Sequence, residues 1–412
     1  MLRKSFLIVT LIVGLLAVFA ISALGSEKLI INSYQSDPAP KKVFAELVDQ
    51  FRAIHPEYEV TVNTFAHEDF KTLLRTWLNS SNAPDVVTWF SGERMRYFAS
   101  KELLEPIDDI FKEGFEAYFP NAFKSACAFD QQLYFVPVSW YWWGVYYRKS
   151  IFEDLGLTTP VTWKQFKDVC AKLKENDYIP ITIGTKYLWT AAGWFDYLNM
   201  RVNGLEYHLK LTNGEIPYTD PGIEGVFKYW RELVDAGYFI DNHTSYSWQE
   251  AANYLFTGEA GMYLMGQFIK DVAPEDVKDD LDFFRFPVIN GEIGLYEDTP
   301  IDGFMIPAKA ANKNAAKVFL EFLASKNAQE YNAKELGRLA ANKFVPAPDP
   351  HAQDGLNMIL ESDGVMQFYD RDSNPEMATA GMNGFVEFMD QPEKLNSILQ
   401  NLENQRKRIY QK

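Results

Sequence analysis

Residues 29–62 read LIINSYQSDPAPKKVFAELVDQFRAIHPEYEVTV. Leu29-Ile-Ile31 opens a short apolar strand that runs out into the polar loop Tyr34-Gln35-Ser36-Asp37-Pro38. A helix is predicted next. Val43, Phe44, Leu47, Val48, Phe51 and Ile54 recur at the three- and four-residue spacing of one helical face. His55-Pro56 stops it, because proline holds the residue before it out of the helical region. Glu59-Val-Thr-Val62 reads as the next strand. Asp85-Val-Val-Thr-Trp89 reads as another, again ending in a polar loop. Strand, helix, strand in that order predicts an α/β lobe with a mostly parallel sheet.

Later helices carry clear start and stop signals. Thr162-Trp-Lys-Gln165 is a capping box, in which the threonine hydroxyl and the glutamine amide each satisfy a free backbone N–H. Asp220-Pro221 starts another helix and Gly237 closes it. Its stripe of Ile223, Val226, Phe227, Trp230 and Leu233 makes Trp230 a core residue. Asn312 to Ser325 is predicted helical, with Val318, Phe319, Phe322 and Leu323 inward. No internal repeat or low-complexity linker interrupts the pattern. The chain is too long for one ordinary core, so two lobes are expected, with the chain crossing between them more than once.

The first 25 residues place a basic Arg3-Lys4 before an apolar run from Phe6 to Ala20 and a small-residue site ending at Gly25. That is the pattern of a secretory signal peptide, and the run is short of the roughly 20 residues of a spanning helix. The predicted location is therefore periplasmic or extracellular, with cleavage after Gly25. Removing 25 of the 412 residues leaves 387, and losing Arg3 and Lys4 takes the formal charge from −16 to −18. Such a surface repels nucleic acid and anionic membranes. Cys127 and Cys170 are expected as free thiols, since Cys170 falls on the apolar stripe Phe166, Val169, Cys170, Leu173.

Catalytic signatures are missing: there is no GxSxG, HExxH, P-loop or GxGxxG. His67-Glu68-Asp69 reads as a solvated loop or helix start, because adjacent residues do not converge on one ligand. Asp370-Arg-Asp372-Ser-Asn374 begins like a calcium loop, but Pro375 stands where the turn needs glycine and Gly381 where the bidentate glutamate belongs. Tyr146-Tyr147 sits in a strand-like stretch without an iron-ligand cluster. The reading therefore includes no metal, no cofactor and no reaction. Two carboxylates at the right separation would suffice for a glycosidase, so a secreted carbohydrate-active enzyme is the rival from another class.

Aromatic content is more telling. The chain holds 10 Trp and 22 Tyr, more flat rings with polar handles than a core needs. Ser139-Trp-Tyr-Trp-Trp143-Gly144 packs four together. Trp189 and Trp194 lie in a second stretch, and Trp248 and Phe268 in a third. Such rings cover the C–H face of a sugar, while carboxylates, amides and arginine bond its hydroxyl edge. This combination of apolar walls and a few polar groups points to a carbohydrate cleft.

The ordered motifs resemble an extracellular solute-binding protein of a sugar ABC importer, the group that includes maltodextrin-binding proteins. They are Pro84-Asp-Val-Val-Thr-Trp89, Leu103-Leu104-Glu-Pro-Ile-Asp108, Leu133-Tyr-Phe-Val-Pro137 to Tyr147-Arg-Lys, and Thr162-Trp-Lys-Gln-Phe166. Phe256-Thr-Gly258-Glu-Ala260-Gly-Met262 through Gly266, and Asp302-Gly303-Phe304 with Ala315 to Leu323, complete the set. Two departures stand out. Phe268 occupies the position where the family usually has a stacking tryptophan, and Gly337-Arg-Leu-Ala-Ala-Asn342 lacks the usual proline.

The resemblance implies a periplasmic-binding-protein-like α/β fold, two lobes joined by hinge strands with the ligand cleft between them. Residues 26–137 and 288–335 would form the first lobe, and 138–287 and 336–412 the second. It implies site residues Tyr34, Gln35, Ser36, Asp37, Trp89, Glu93 and Arg94 on the first lobe. Tyr141, Trp143, Trp189, Trp194, Trp248 and Phe268 would line the second, with Asp302, Gly303, Arg371 and Asn383 from the later segments. The implied function is capture of a sugar, an oligosaccharide by the number of aromatics, through hinge closure and delivery to the importer's membrane subunits. The chain would act as a monomer. Within the binding class, a polyamine, peptide or metal is the alternative solute.

Overall fold

The computed structural model describes residues 27–411, so the leader expected at 1–25 lies outside the described residues. The strands that organise them are β1 (Glu27–Ser33), β2 (Tyr58–Thr64), β3 (Val86–Phe90), β4 (Val136–Trp140) and β5 (Trp143–Arg148), followed by β6 (Ile179–Ile181), β7 (Ala260–Gly266), β8 (Leu281–Phe284), β9 (Ile301–Met305) and β10 (Leu339–Ala340). One sheet runs in the order β10-β4-β9-β3-β1-β2 and the other β8-β5-β7-β6. β1 is parallel to both β2 and β3, as the opening strand–helix–strand pattern predicts. β9 is antiparallel to β3 and β4.

Each sheet carries its own core. Leu29, Ile31, Phe44, Val48 and Phe51 belong to the first, together with Phe304 and Phe319 from the far end of the chain. Trp163, Phe166, Trp194, Trp230 and Phe286 belong to the second. The helix Pro38–Ile54 buries Val43, Phe44, Leu47, Val48 and Phe51. Ile54, expected on that face, is 61 % exposed at the helix end. The capping box at Thr162 forms as predicted and starts the helix Trp163–Glu175. Trp230 is fully buried, and both cysteines are buried and free. Among the described residues no helix is long and apolar enough to cross a membrane.

Strand pairing and backbone hydrogen bonds mark where the chain passes between the two sheets. Ser139 and Trp140 pair with β9 and β10 in the first sheet, so the chain leaves that sheet through Tyr141-Trp142. On the return, Val288 bridges to Thr162 and Tyr296–Asp298 pairs with Gly364–Met366. The Thr299 amide then bonds the Met366 carbonyl, so this stretch stays against the second core up to Thr299. Before the last crossing, the Ala341 amide bonds the Val138 carbonyl and the Lys343 amide the Tyr118 carbonyl, both in the first lobe.

Gly303 shows why β9 fits between its neighbours. The register shifts between Asp302 and Gly303, and a Cβ there would lie 2.0 Å from the Val136 carbonyl oxygen. Gly303→Ala is expected to destabilise the chain by about 1–3 kcal/mol through overpacking. Urea unfolding checks this, and an unchanged midpoint would show that β4 can retreat.

Candidate functional site

A cleft opens between the two sheets where crossings and strand ends meet, holding about 1090 Å³ of space with its open mouth included. Twelve of the residues expected at the site line it: Tyr34, Gln35, Ser36, Asp37, Tyr141, Trp143, Trp189, Trp248, Phe268, Asp302, Gly303 and Arg371. They come from the β1 loop, the first crossing, the starts of helices Trp189–Asn203 and Trp248–Phe256, the segment after β7, β9, and the turn Tyr369–Asp372.

The aromatic wall has a definite shape. Phe268 sits at its centre, with Trp248 at 5.2 Å and 82°, Tyr141 at 5.3 Å and 87°, and Trp143 at 6.2 Å and 81°. Trp189 meets Trp143 at 6.0 Å and 90°. Rings that meet edge-to-face enclose a corner, unlike a row of coplanar platforms. Trp143 is backed by Phe368, stacked at 4.7 Å. On the first-lobe side Tyr34 stacks on Phe90 at 5.2 Å, and His67 meets the Tyr34 ring edge-on at 5.0 Å.

The polar groups are arranged as pairs. Arg371 donates to Asp302 (2.8 Å), to the Tyr141 hydroxyl (2.9 Å) and to the Ile301 carbonyl, and its guanidinium lies 4.3 Å from the Phe90 ring centre. Burial opposes the Arg371 charge, but Tyr141, Asp302 and Asp370 outweigh it and raise its pKa. Arg338 is paired with Asp271, and Lys71 bonds Glu68 at 3.0 Å. Burial, aided by Asp302, raises the Tyr34 pKa and keeps that phenol protonated. Burial and then Lys71 lower the His67 pKa, so the ring is neutral at pH 7. Asp37 meets the Gln249 amide at 3.5 Å, a contact between the two lobes.

Five expected site residues lie elsewhere. Trp89 packs in the first core against Phe70 and Phe98, because neighbours on a strand face opposite ways and Phe90 takes the cleft side. Glu93 bonds Arg96 at a helix start. Arg94 stands one layer back and grips Asp370 through its side chain and carbonyl. Trp194 is fully buried among Phe166, Phe239 and Phe286. It lies five residues after Trp189 on the same helix, which turns it to the opposite side. Asn383 is on the exposed face of Pro375–Asp390 and bonds the Thr379 carbonyl.

His67, Lys71, Phe90, Gln249, Asp271, Arg338, Phe368 and Asp370 line the cleft without having been expected there. Arg338 falls within the segment already noted as departing from the usual motif. His67 does start a helix, His67–Asn79, but faces Tyr34 as well as solvent.

Asp372, in the turn that presents Arg371, accepts the Gln367 amide at 3.1 Å. Burial pushes its carboxyl up to about 7. The folded chain therefore keeps this proton over a range where an unfolded aspartate, near 4, has lost it. Stability falls as pH rises from about 4 to about 7, by about 1.4 kcal/mol per pH unit for this one group. Asp372→Asn removes that slope, so its urea midpoint gains on the wild type between pH 5 and pH 8. An equal difference at both pH values would exclude the linkage.

Known proteins agree with this architecture. The family described as bacterial extracellular solute-binding protein matches residues 35–330. An uncharacterised ABC transporter extracellular-binding protein of Pyrococcus horikoshii is 30% identical over 333 residues, 79% of this chain and 74% of its own. The solved structure of the bacterial solute receptor AcbH, described as having an exclusive substrate preference for β-D-galactopyranose, is 35% identical with a TM-score of 0.90. The match covers 94% of this chain and 100% of that one. A chitin oligosaccharide binding protein shares the fold at a TM-score of 0.86 and 20% identity, over 94% of this chain and 100% of its own. Two α/β lobes with the cleft between them, and a family match over most of the length, lead to one conclusion: the chain belongs to the bacterial extracellular solute-binding proteins, receptors rather than enzymes.

Proposed function

We propose that this chain captures a neutral sugar in the interlobe cleft and hands it to the membrane subunits of an ABC importer. The observation that carries the reading is an aromatic-walled cleft whose cations are already matched by carboxylates: Arg371 with Asp302, Arg338 with Asp271, and Lys71 with Glu68. Such a site has its cations satisfied in place and leaves Asp37, which among the described residues meets only the Gln249 amide, as the cleft carboxylate without a cationic partner, a set of donors and acceptors that suits hydroxyls. A polyamine carries several cations and would call for more free carboxylates than Asp37 alone. The names of the relatives support the same class, a β-D-galactopyranose receptor among them. The perpendicular rings around Phe268 face two sides of one sugar ring, and any further units of an oligosaccharide leave through the mouth.

Residues 27–140 and 301–343 form the first lobe of this reading, and 143–298 and 350–411 the second. A sugar resting on one wall gains the contacts of the other wall only when the lobes close, so binding shifts the hinge equilibrium. A ligand lacking one hydroxyl leaves a buried polar group unpaired, at a cost of about 1–3 kcal/mol. The chain works as an exported monomer whose residues 1–25 are a cleaved leader, and nucleic acid plays no part. Calorimetry of the mature chain against mono- and oligosaccharides, with product analysis of the same mixtures, tests the proposal. One-to-one binding with the sugar recovered intact is expected. Cleavage would make the chain an enzyme, and a silent panel would reject the sugar.

A further inference from the structure

Trp189 enters the cleft directly after an unusual residue. Leu188 has φ +69° and ψ −43°, a region that is an outlier for a bulky side chain. The Trp189 amide donates to the Tyr187 carbonyl at 2.8 Å, closing a three-residue turn of the rare positive-φ kind. The helix Trp189–Asn203 begins at the next residue, so the Leu188 torsion sets the direction in which the chain enters it.

The surrounding loop leaves little slack. The Leu188 amide bonds the Thr185 carbonyl at 2.8 Å, and the Thr190 hydroxyl bonds the Gly184 carbonyl at 2.6 Å. The Lys186 amide bonds the Tyr246 carbonyl at 3.0 Å. A Cβ on Gly184 would lie 2.2 Å from the Ser247 carbonyl. Strained residues persist where their surroundings over-determine them, and they gather at functional sites.

We propose that Leu188 is a positioning residue for the cleft, its positive-φ turn standing the Trp189 ring against Trp143 and Phe268. The consequence for capture rests on the sugar reading above, but the positioning belongs to the ligand-free chain and is tested there. A plain packing role is the competitor, since Leu188 also leans on the second core. The two roles rank substitutions in opposite orders. Glycine adopts positive φ freely and asparagine more readily than a branched residue, but both lose the leucine's packing. Valine keeps most of the apolar bulk but resists positive φ.

The experiment is ¹⁹F NMR of the mature chain labelled with 5-fluorotryptophan, the Trp189 signal being assigned by its loss in Trp189→Phe. Leu188→Gly and Leu188→Asn are expected to leave that signal within the wild-type linewidth, and Leu188→Val to shift or split it. The reverse order, or no movement in any variant, overturns the proposal. If the valine chain does not fold, a moved signal in both the glycine and asparagine chains is enough to overturn it, and an unmoved one in both supports it. Titrating the same samples with D-galactose and the oligosaccharide panel separates the two ideas. A wild-type chain that ignores every sugar, while the fluorine signals follow the expected order, rejects the sugar and leaves Leu188 in its role.

Discussion

Arg371→Ala is expected to abolish capture and to destabilise the folded chain by about 3–5 kcal/mol, the range for breaking a buried ion pair from one side. The side chain is 9 % exposed and its Asp302 partner 18 %. Removing the guanidinium strands the Asp302 carboxylate and deprives the Tyr141 hydroxyl of its donor, both in the cleft wall. It also takes away the cation over Phe90. Arg371→Lys keeps a charge without the planar fork, and should recover part of the stability but little of the affinity. Urea unfolding and calorimetry read the two effects separately. An alanine variant with wild-type midpoint and affinity would remove Arg371 from both roles.

Trp189→Ala and Trp194→Ala should fail in different ways although they share one helix. Trp194 is fully enclosed by the second core, so its truncation leaves a cavity and destabilises by about 3–5 kcal/mol. The fraction that remains folded should bind normally. Trp189 is half-buried at the cleft, and its loss should change the midpoint little while weakening binding by about 2 kcal/mol, roughly thirtyfold. Equal losses of affinity in the two variants would contradict the division of the helix into a cleft side and a core side.

That division was within reach of the sequence. Five residues turn a helix through about 140° more than a full turn, so the two tryptophans could not share a wall. The opening lobe was readable because Val43, Phe44, Leu47, Val48 and Phe51 keep strict helical spacing between two apolar strands. Trp89 was harder. β3 is buried on both faces, so its sequence has no polar–apolar alternation to say which side meets the cleft. His67 and Lys71 left no local trace, because what gives them a place at the site is Tyr34 and Phe90, distant along the chain. Nothing local to Arg94 names its partner Asp370, which lies 276 residues away. Exact crossing points leave no trace in the sequence, because a crossing strand is as apolar after it leaves the first sheet as before. Only pairing by Ser139 and Trp140 shows where it departs.

β9 has a bearing on how the polypeptide matures. It lies between β3 and β4, so two inner edges of the first sheet stay open until residues 301–305 have emerged. A chain cut short before Ile301 would present both edges, each a template for pairing with another molecule. Such fragments should aggregate and not survive as half-receptors. In the intact chain the first lobe can close only after most of the second lobe's sequence has been made, so it folds late and through distant contacts. For a polypeptide destined for the far side of a membrane, that delay keeps it threadable during the crossing.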